Sequence, residues 1–379
     1  MEQAKKIVVH IITGLNDGGA ENILYRLCVS DAHVVHIVIS MMDAGKYGPL
    51  LDQAGVRVIC LGMPAGKVTL MGFYKLWKKL RNIRPPIVQT WMYHANLIGG
   101  LGAKLAGVPR VFWGIHHSNL APGTVKRSTI WVAKLCAKLS HFIPTHIISC
   151  SKQAVPVHVG IGYAEQKFLV IPNGYDLANF QPHRASGEKI RRELGINANQ
   201  FLVGMVARFD PQKDHRNLFN ALACLIELKV DVQCVLVGTG MDKENHQLVQ
   251  WLTEAGCWAR VHLLGRRSDI PAVMSTLDLH VLSSLGEAFP NVLAEAMACG
   301  TPCVTTDVGD AALIVGETGW VVPPRDSTAL ANAVIKALGE KQAGVEWSTR
   351  QSAARQRIVD LFNIETMVES YRIAWKIKA

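Results

Sequence analysis

The sequence has no apolar stretch approaching the roughly 18 uninterrupted residues that a spanning helix needs, which argues against a transmembrane segment. Its nine cysteines are scattered and odd in number, with no C-x-x-C pair. That spacing disfavours zinc and a disulfide framework, and it fits buried, reduced thiols in a cytosolic protein. Cys28, Cys136, Cys224 and Cys299 lie in apolar, helical surroundings. Charged residues are only 18% of the 379, against 49% hydrophobic, which excludes intrinsic disorder. No Asp-x-Asp pair occurs. Residues 1–12 have a basic start and a short apolar run, but His10 interrupts it and no small-residue cleavage site follows. They read as a first strand, not a signal peptide.

A further absence is local. Between Asp52 and Glu165 there is no acidic residue, while 14 Lys and Arg fall there. Residues 1–178 carry 19 Lys+Arg and 8 Asp+Glu, a net of +11; residues 179–379 carry 21 and 22, a net of −1. The formal +10 of the chain is therefore a property of its first half. This predicts an anionic surface or partner for that half only.

At roughly 100–200 residues per domain the length suggests two domains, or three. Short β-branched runs alternate with segments of helical period. Strands are predicted near 7–12, 34–39, 56–60, 87–90, 110–113 and 146–149, then near 202–207, 232–237, 261–264, 279–282 and 303–305. Helical patterns cover, for example, 20–30, 73–84, 95–106 and 126–141. Continuous apolar strands separated by helices mean parallel sheets covered on both faces. The class is α/β, with two doubly wound domains. An Asn-Gly turn, two prolines and a polar cluster place the boundary within 171–189. The last segment, 364–379, reads as a helix carrying Tyr371, Ile373, Trp375 and Ile377, whose partner its periodicity does not give.

Ligands of open α/β sheets bind beyond the carboxyl ends of the strands, so the loops there matter most. The loop 13–22 holds Gly18 and Gly19 before a helix N-terminus that favours negative charge. Alone this pair is a tight turn, since the G-x-G-x-x-G spacing is missing. Arg208 and Lys213 follow a second-half strand, where two cations suit a diphosphate, although a solvated pair is the plainer reading. In 283–307, Glu287 precedes a helix and Glu295 comes eight residues later. Eight residues at 100° each are close to two turns, so both carboxylates can share one face. Glu295 sits within an apolar run, and a carboxylate on a buried helix needs a partner.

These residues together resemble the GT-B glycosyltransferases of family 4, retaining enzymes that use nucleotide-sugar donors. The resemblance runs through GGAE, IHHS, IPNGYD, VARFDPQKDH, LVGTG, LLGRRSDI and the E-x7-E of GEAFPNVLAEAMACGTP, in that order. It implies a first, acceptor-binding domain at 1–175 and a nucleotide-sugar domain at 176–363, facing a central cleft, with 364–379 crossing back to the first domain. It implies that Arg208 and Lys213 hold the donor diphosphate, that Glu295 binds ribose hydroxyls, and that Glu287 contacts the sugar near the N–H groups of Phe289, Asn291 and Val292. Gly18 and Gly19 would close on the phosphates, and Gly265 and Arg266 would recognise the base. His116 would lie near the reacting carbon, with His117 adjacent in register. Where the family often has Gly-Phe-Gly after the first Glu, this chain has Ala288-Phe289-Pro290, and Pro290 removes one N–H at the helix start.

The expected reaction is hexosyl transfer from a UDP- or GDP-sugar to a lipid-linked glycan, with no cofactor and no metal. Arg208 and Lys213 would stand in for the metal ion, and the diphosphate oxygen would deprotonate the acceptor on the front face. Residues 89–100 offer Tyr93, His94 and Asn96 as acceptor contacts, and a packed strand-to-helix turn explains them as well.

Two helices carry the cationic excess. Around 73–84, Phe73, Leu76, Trp77, Leu80 and Ile83 share an arc, with Lys75, Lys78, Lys79 and Asn82 opposite. Around 126–142, Trp131, Leu135, Leu139 and Phe142 cluster against a stripe of Lys126, Arg127, Lys134 and Lys138. One such helix reads as an ordinary core helix. Two, in a region without acids, predict peripheral attachment to the anionic cytoplasmic face of the cell membrane. Nucleic acid is the competing anion, but no helix-turn-helix, zinc or RRM signature supports it. Rival functions are a nucleotide-sugar epimerase of the same shape, a dehydrogenase (which LVGTGMDKE supports weakly, lacking a third glycine) and an inactive membrane-binding scaffold.

Overall fold

Short, mostly apolar runs form two parallel sheets in the computed structural model, which describes residues 6–118, 120, 126–197 and 199–377. The chain divides into two units, residues 1–174 with 364–379, and residues 175–363.

In the first unit the strands are Lys6–Ile12 (β1), Val34–Ser40 (β2), Arg57–Cys60 (β3), Ile87–Trp91 (β4), Arg110–Ile115 (β5), His146–Ser149 (β6) and Phe168–Val170 (β7). They lie in the order β3-β2-β1-β4-β5-β6-β7, all parallel. The second unit has Phe201–Val206 (β8), Val232–Val237 (β9), Val261–Leu263 (β10), Leu279–Leu282 (β11), Cys303–Thr306 (β12) and Trp320–Val322 (β13). Their order is β10-β9-β8-β11-β12-β13, again parallel. Both orders reverse beside the first strand, the doubly wound pattern, with the switch points between β1 and β4 and between β8 and β11. β4 and β8 are buried along their whole length, as helices on both faces require. β7 and β13, absent from the sequence reading, are edge strands of three residues, too short to show a period.

One face of the first sheet is closed by the helix Gly19–Ser30 and by Ile364–Ala374. Met367, Val368, Tyr371 and Trp375 share a buried cluster with Val8, Ile12, Val38 and Trp91. The segment 364–377 thus completes the core of the first unit although it is separated from it in sequence.

The basic helices differ from their wheels in one respect. In Leu70–Ile83, Leu76 and Leu80 are fully buried and Lys75, Lys78 and Lys79 exposed. In Arg127–Ser140 the inward face is Ala133, Cys136, Ala137 and Ser140. These small side chains allow close approach to the helix Tyr93–Leu105, where the Cys136 thiol donates to the Tyr93 carbonyl at 3.5 Å. The arc of Trp131 and Phe142 is therefore not the core face: they are 76% and 77% exposed, with Leu135 exposed beside them. Among the described residues no helix is long and apolar enough to cross a membrane.

Candidate active site

The loops that follow β8 and β11 flank the switch point of the second sheet. After β8 the chain makes a turn over 208–214, capped by Asp210, whose carboxylate accepts from the Gln212 N–H at 2.9 Å. After β11, Leu285 N donates to the Gln212 carbonyl at 2.7 Å, and the Ser283 hydroxyl bonds the carbonyls of Lys213 and Asp214. The two loops are thereby fixed to each other, and they bring Lys213 Nζ to 2.5 Å from Glu287 Oε1. The Ser284 hydroxyl donates to the same oxygen at 2.7 Å. Both members of the pair are largely shielded, so their attraction is screened less than at the surface.

Arg208 lies on the rim of this loop, 62% exposed, paired at 3.0 Å with Asp210. Burial would raise the Asp210 carboxyl, but the Gln212 N–H and the Arg208 guanidinium outweigh it and hold it below the usual carboxylate range. Backbone bonds join the carboxyl ends of β8, β9 and β10: Ala207 N donates to the Val237 carbonyl, and Gly238 N to the Gly265 carbonyl at 2.8 Å. At Gly238 (φ +144°) a Cβ would stand 2.1 Å from the Ala207 oxygen, so only glycine fits. Gly265 and Arg266 continue this edge, Arg266 exposed.

Past Glu287, Phe289 is buried against Phe362 and begins the approach to the helix Asn291–Ala298. Pro290 is its N-cap residue. The first-turn amides of Asn291 and Val292 are of the kind that lack partners within a helix. The Asn291 side-chain oxygen Oδ1 accepts from the Tyr175 hydroxyl at 2.6 Å. Two turns in, Glu295 is 8% exposed. Sequence reasoning missed Ser284, Tyr175 and Gly309. At Gly309 (φ +51°) a Cβ would meet the Glu287 carbonyl oxygen at 2.2 Å, and the next amide bonds the Ala288 carbonyl. Its D-V-G-D setting is legible as a turn, but not as the support of the Glu287 loop.

The predicted residues of the first unit also gather at a carboxyl edge. Gly18 is the N-cap residue of the helix Gly19–Ser30, directly after β1. His116 and His117 follow β5. The His116 ring stacks on Trp91, centroids 4.9 Å apart and planes 13° apart, and burial lowers its pKa to about 4, so it is neutral at pH 7. Of the expected acceptor contacts, His94 is half-buried at the first turn of Tyr93–Leu105. Tyr93 and Asn96 turn inward: the Tyr93 hydroxyl meets His158 Nε2 at 2.7 Å, and Asn96 bonds the Gly114 carbonyl and the Thr90 hydroxyl.

Comparison with known proteins agrees with this architecture. Residues 17–179 match the family model described as Glycosyltransferase Family 4, and residues 186–355 match Glycosyl transferases group 1. An Escherichia coli relative, UDP-Gal:alpha-D-GlcNAc-diphosphoundecaprenol alpha-1,3-galactosyltransferase, is 30% identical over 86% of this chain and 85% of its own. The Campylobacter jejuni N,N'-diacetylbacillosaminyl-diphospho-undecaprenol alpha-1,3-N-acetylgalactosaminyltransferase is 27% identical over 71% and 73%. The crystal structure of Anabaena HepE in complex with UDP superposes with a TM-score of 0.84, at 25% identity, covering 98% of this chain and 99% of that one. The chain belongs to the family 4 glycosyltransferases of GT-B fold. The epimerase reading is not favoured.

Proposed function

We propose that this chain is a retaining hexosyltransferase that moves a sugar from a UDP-sugar to a glycan carried on a lipid diphosphate. The observation that carries the reading is the Lys213–Glu287 pair at the switch point of the second sheet, with Arg208 on the same loop. A helix N-terminus and two cations stabilise the negative charge that develops as the diphosphate leaves. Glu295 accepts bonds from ribose hydroxyls, Gly265 and Arg266 meet the base, and Glu287 orients the sugar with the amides near Phe289, Asn291 and Val292. Gly18 and Gly19 approach the phosphates, neutral His116 bonds a sugar hydroxyl, and His94 contacts the acceptor, with Tyr93 and Asn96 shaping the wall behind it.

In the proposed step the bond from the sugar C1 to the diphosphate oxygen breaks. The acceptor oxygen bonds C1 on the same face, and its proton passes to the departing diphosphate oxygen. No cofactor takes part, and Arg208 and Lys213 supply the charge that a metal supplies elsewhere, in keeping with a sequence that lacks Asp-x-Asp. The choice of UDP is supported by the names of the Escherichia coli relative and the HepE complex, and that of a lipid-diphosphate acceptor by both transferase names.

The enzyme works at the cytoplasmic face of the membrane, where its acceptor is held. Exposed Leu70, Met71 and Tyr74 beside Lys75, Lys78 and Lys79, and exposed Trp131 and Phe142 beside Lys126, Arg127, Lys134 and Lys138, support a membrane-facing side. Trp77 contributes less, being half-buried with its N–H on the Leu105 carbonyl.

The test is transfer from a panel of UDP-hexoses to a GlcNAc-diphospholipid, in EDTA, with the anomer of the product read by NMR. An α-linked product from an α-linked donor is expected. A β product excludes retention, abolition by EDTA excludes metal independence, and absence of transfer from every donor excludes the reading.

A further inference from the structure

Four adjacent strands of the first sheet carry an aromatic staircase that ends on His116. Register aligns His36 with Val8, His10 with Gln89, Ile12 with Trp91, and Trp91 with Gly114. Side chains alternate along a strand, so His36, His10 and Trp91 lie on one face, and His116, one residue past β5, joins them by stacking on Trp91. Each is two residues nearer the carboxyl edge than the one before. That face is the one covered by Ile364–Ala374, and Trp91 and His10 are fully buried.

The hydrogen bonds along the staircase have one direction. An indole N–H can only donate, and Trp91 Nε1 donates to His10 Nδ1 at 3.2 Å. Burial, then the neighbouring His36, pushes His10 well below its ordinary pKa, so it is neutral and carries its proton on Nε2. That proton faces His36 Nδ1 at 2.9 Å. His36 therefore holds its proton on Nε2, which lies 3.6 Å from Asp31 Oδ2. The other Asp31 oxygen receives Arg372 Nη2 at 2.5 Å and Nε at 3.0 Å. The chain thus ends on a buried ion pair supplied by the C-terminal helix. His10, Cys28 and His36 also bring three ligand-type atoms within 4.8 Å. With Trp91 occupying His10 Nδ1, however, a proton lies between the two imidazoles where a metal ion would need both lone pairs.

His116 Nε2 is shielded and has no hydrogen-bond partner among the described residues. Its stack on Trp91 is the contact that sets its ring plane. We infer that Trp91 is a positioning residue for the transfer reaction, holding His116 in plane while His10, His36, Asp31 and Arg372 hold the indole. The inference rests on the proposed role of His116 at the reacting sugar. A ring whose orientation is fixed before the sugar arrives loses less freedom in the transition state, and a small misplacement of such a group lowers turnover rather than binding.

The experiment compares Trp91→Leu, which removes the stack, with Trp91→Phe, which keeps an aromatic face but loses the N–H. His116→Ala and the Trp91→Leu/His116→Ala double variant complete the set. Turnover and donor KM are measured for each, and long-range 1H–15N spectra of the 15N-histidine-labelled wild type read the tautomers. The expected result is a kcat lower by about tenfold or more in Trp91→Leu, with donor KM within about twofold. Trp91→Phe recovers most of the rate, the double variant is no slower than His116→Ala, and His10 is the Nε2–H tautomer. Folded Trp91→Leu with wild-type kcat, or a change confined to KM, overturns the positioning role while His116→Ala remains impaired. Wild-type turnover in His116→Ala overturns the underlying reading instead. Should Trp91→Leu not fold, a Trp91→Phe rate as low as that of His116→Ala, or an Nδ1–H tautomer at His10, overturns the inference.

Discussion

Lys213 Nζ and Glu287 Oε1 lie 2.5 Å apart, one from the loop after β8 and the other from the loop after β11. The contact fixes the ammonium at the point where the strand order reverses. Lys213→Ala should lower kcat by about 10²–10³-fold, as removal of a preorganised charge does. Glu287→Ala should lower it by a similar factor. Because the two act as a unit, the double variant should fall short of the product of the single effects. Steady-state kinetics on the three variants checks this.

Glu295 sits two turns inside its helix with little access to water. Glu295→Ala should weaken UDP binding by about 10–100-fold, the worth of hydrogen bonds to a charged acceptor. Titration calorimetry with UDP reads the change, and unaltered affinity counts against a ribose contact.

Gly309→Ala places a Cβ 2.2 Å from the Glu287 carbonyl oxygen at a φ of +51°, where side chains are strained. A loss of about 1–3 kcal/mol in stability is expected. The fall in UDP affinity should exceed that of an alanine at exposed Gly339, which a Cβ meets nothing to disturb. Thermal unfolding with and without UDP separates the two effects.

Asp31 gives a pH dependence of known sign. Burial works upward on its carboxyl, but the facing His36 and the Arg372 bonds prevail and bring it down to about 2. Its contribution, about 2 kcal/mol, is present above the ordinary carboxylate pKa near 4 and is lost as pH falls through about 2. Asp31→Asn should therefore be less stable than wild type at pH 7, with the gap closing between about pH 4 and 2. Urea unfolding across that range measures it.

Trp131 and Phe142 can be changed without opening the core, being mostly exposed. Trp131→Ser/Phe142→Ser should reduce flotation with anionic vesicles while leaving the melting temperature close to wild type. Lys134→Ala/Lys138→Ala should cost about 1 kcal/mol per lysine at low salt. Wild-type binding should itself weaken as salt is raised.

The strands were legible because both faces are covered, which makes β1, β2, β8 and β9 nearly continuous apolar runs, KIVVHII, VVHIVIS, FLVGMV and VQCVLV. Arg208, Lys213, Glu287 and Glu295 stood out in the sequence because they follow two strands, β8 and β11, that lie side by side in the second sheet. What periodicity cannot carry is register. That His36, His10 and Trp91 lie on one diagonal depends on two strand alignments, each invisible in one dimension. Burial direction was likewise hidden at Tyr93 and Asn96, whose polar groups find internal partners in His158, Thr90 and Gly114. On the Trp131 helix the wheel grouped large apolar residues correctly, yet the close approach of a neighbouring helix selected Ala133 and Ala137 for the core instead.

Ile364, Met367, Val368, Tyr371, Trp375 and Ile377 complete a core whose other buried members end at Ile171. A ribosome must therefore make a further 189 residues, the whole of 175–363, before the first unit can close. At about 5–20 residues per second this delay is roughly 10–40 s, during which Trp91 and the buried histidine pair lack the part of their cover that Tyr371 and Trp375 supply. The nascent first half is then an open sheet with an apolar face, while the second unit emerges with all its strands in hand. The half that begins synthesis first is the half that matures last.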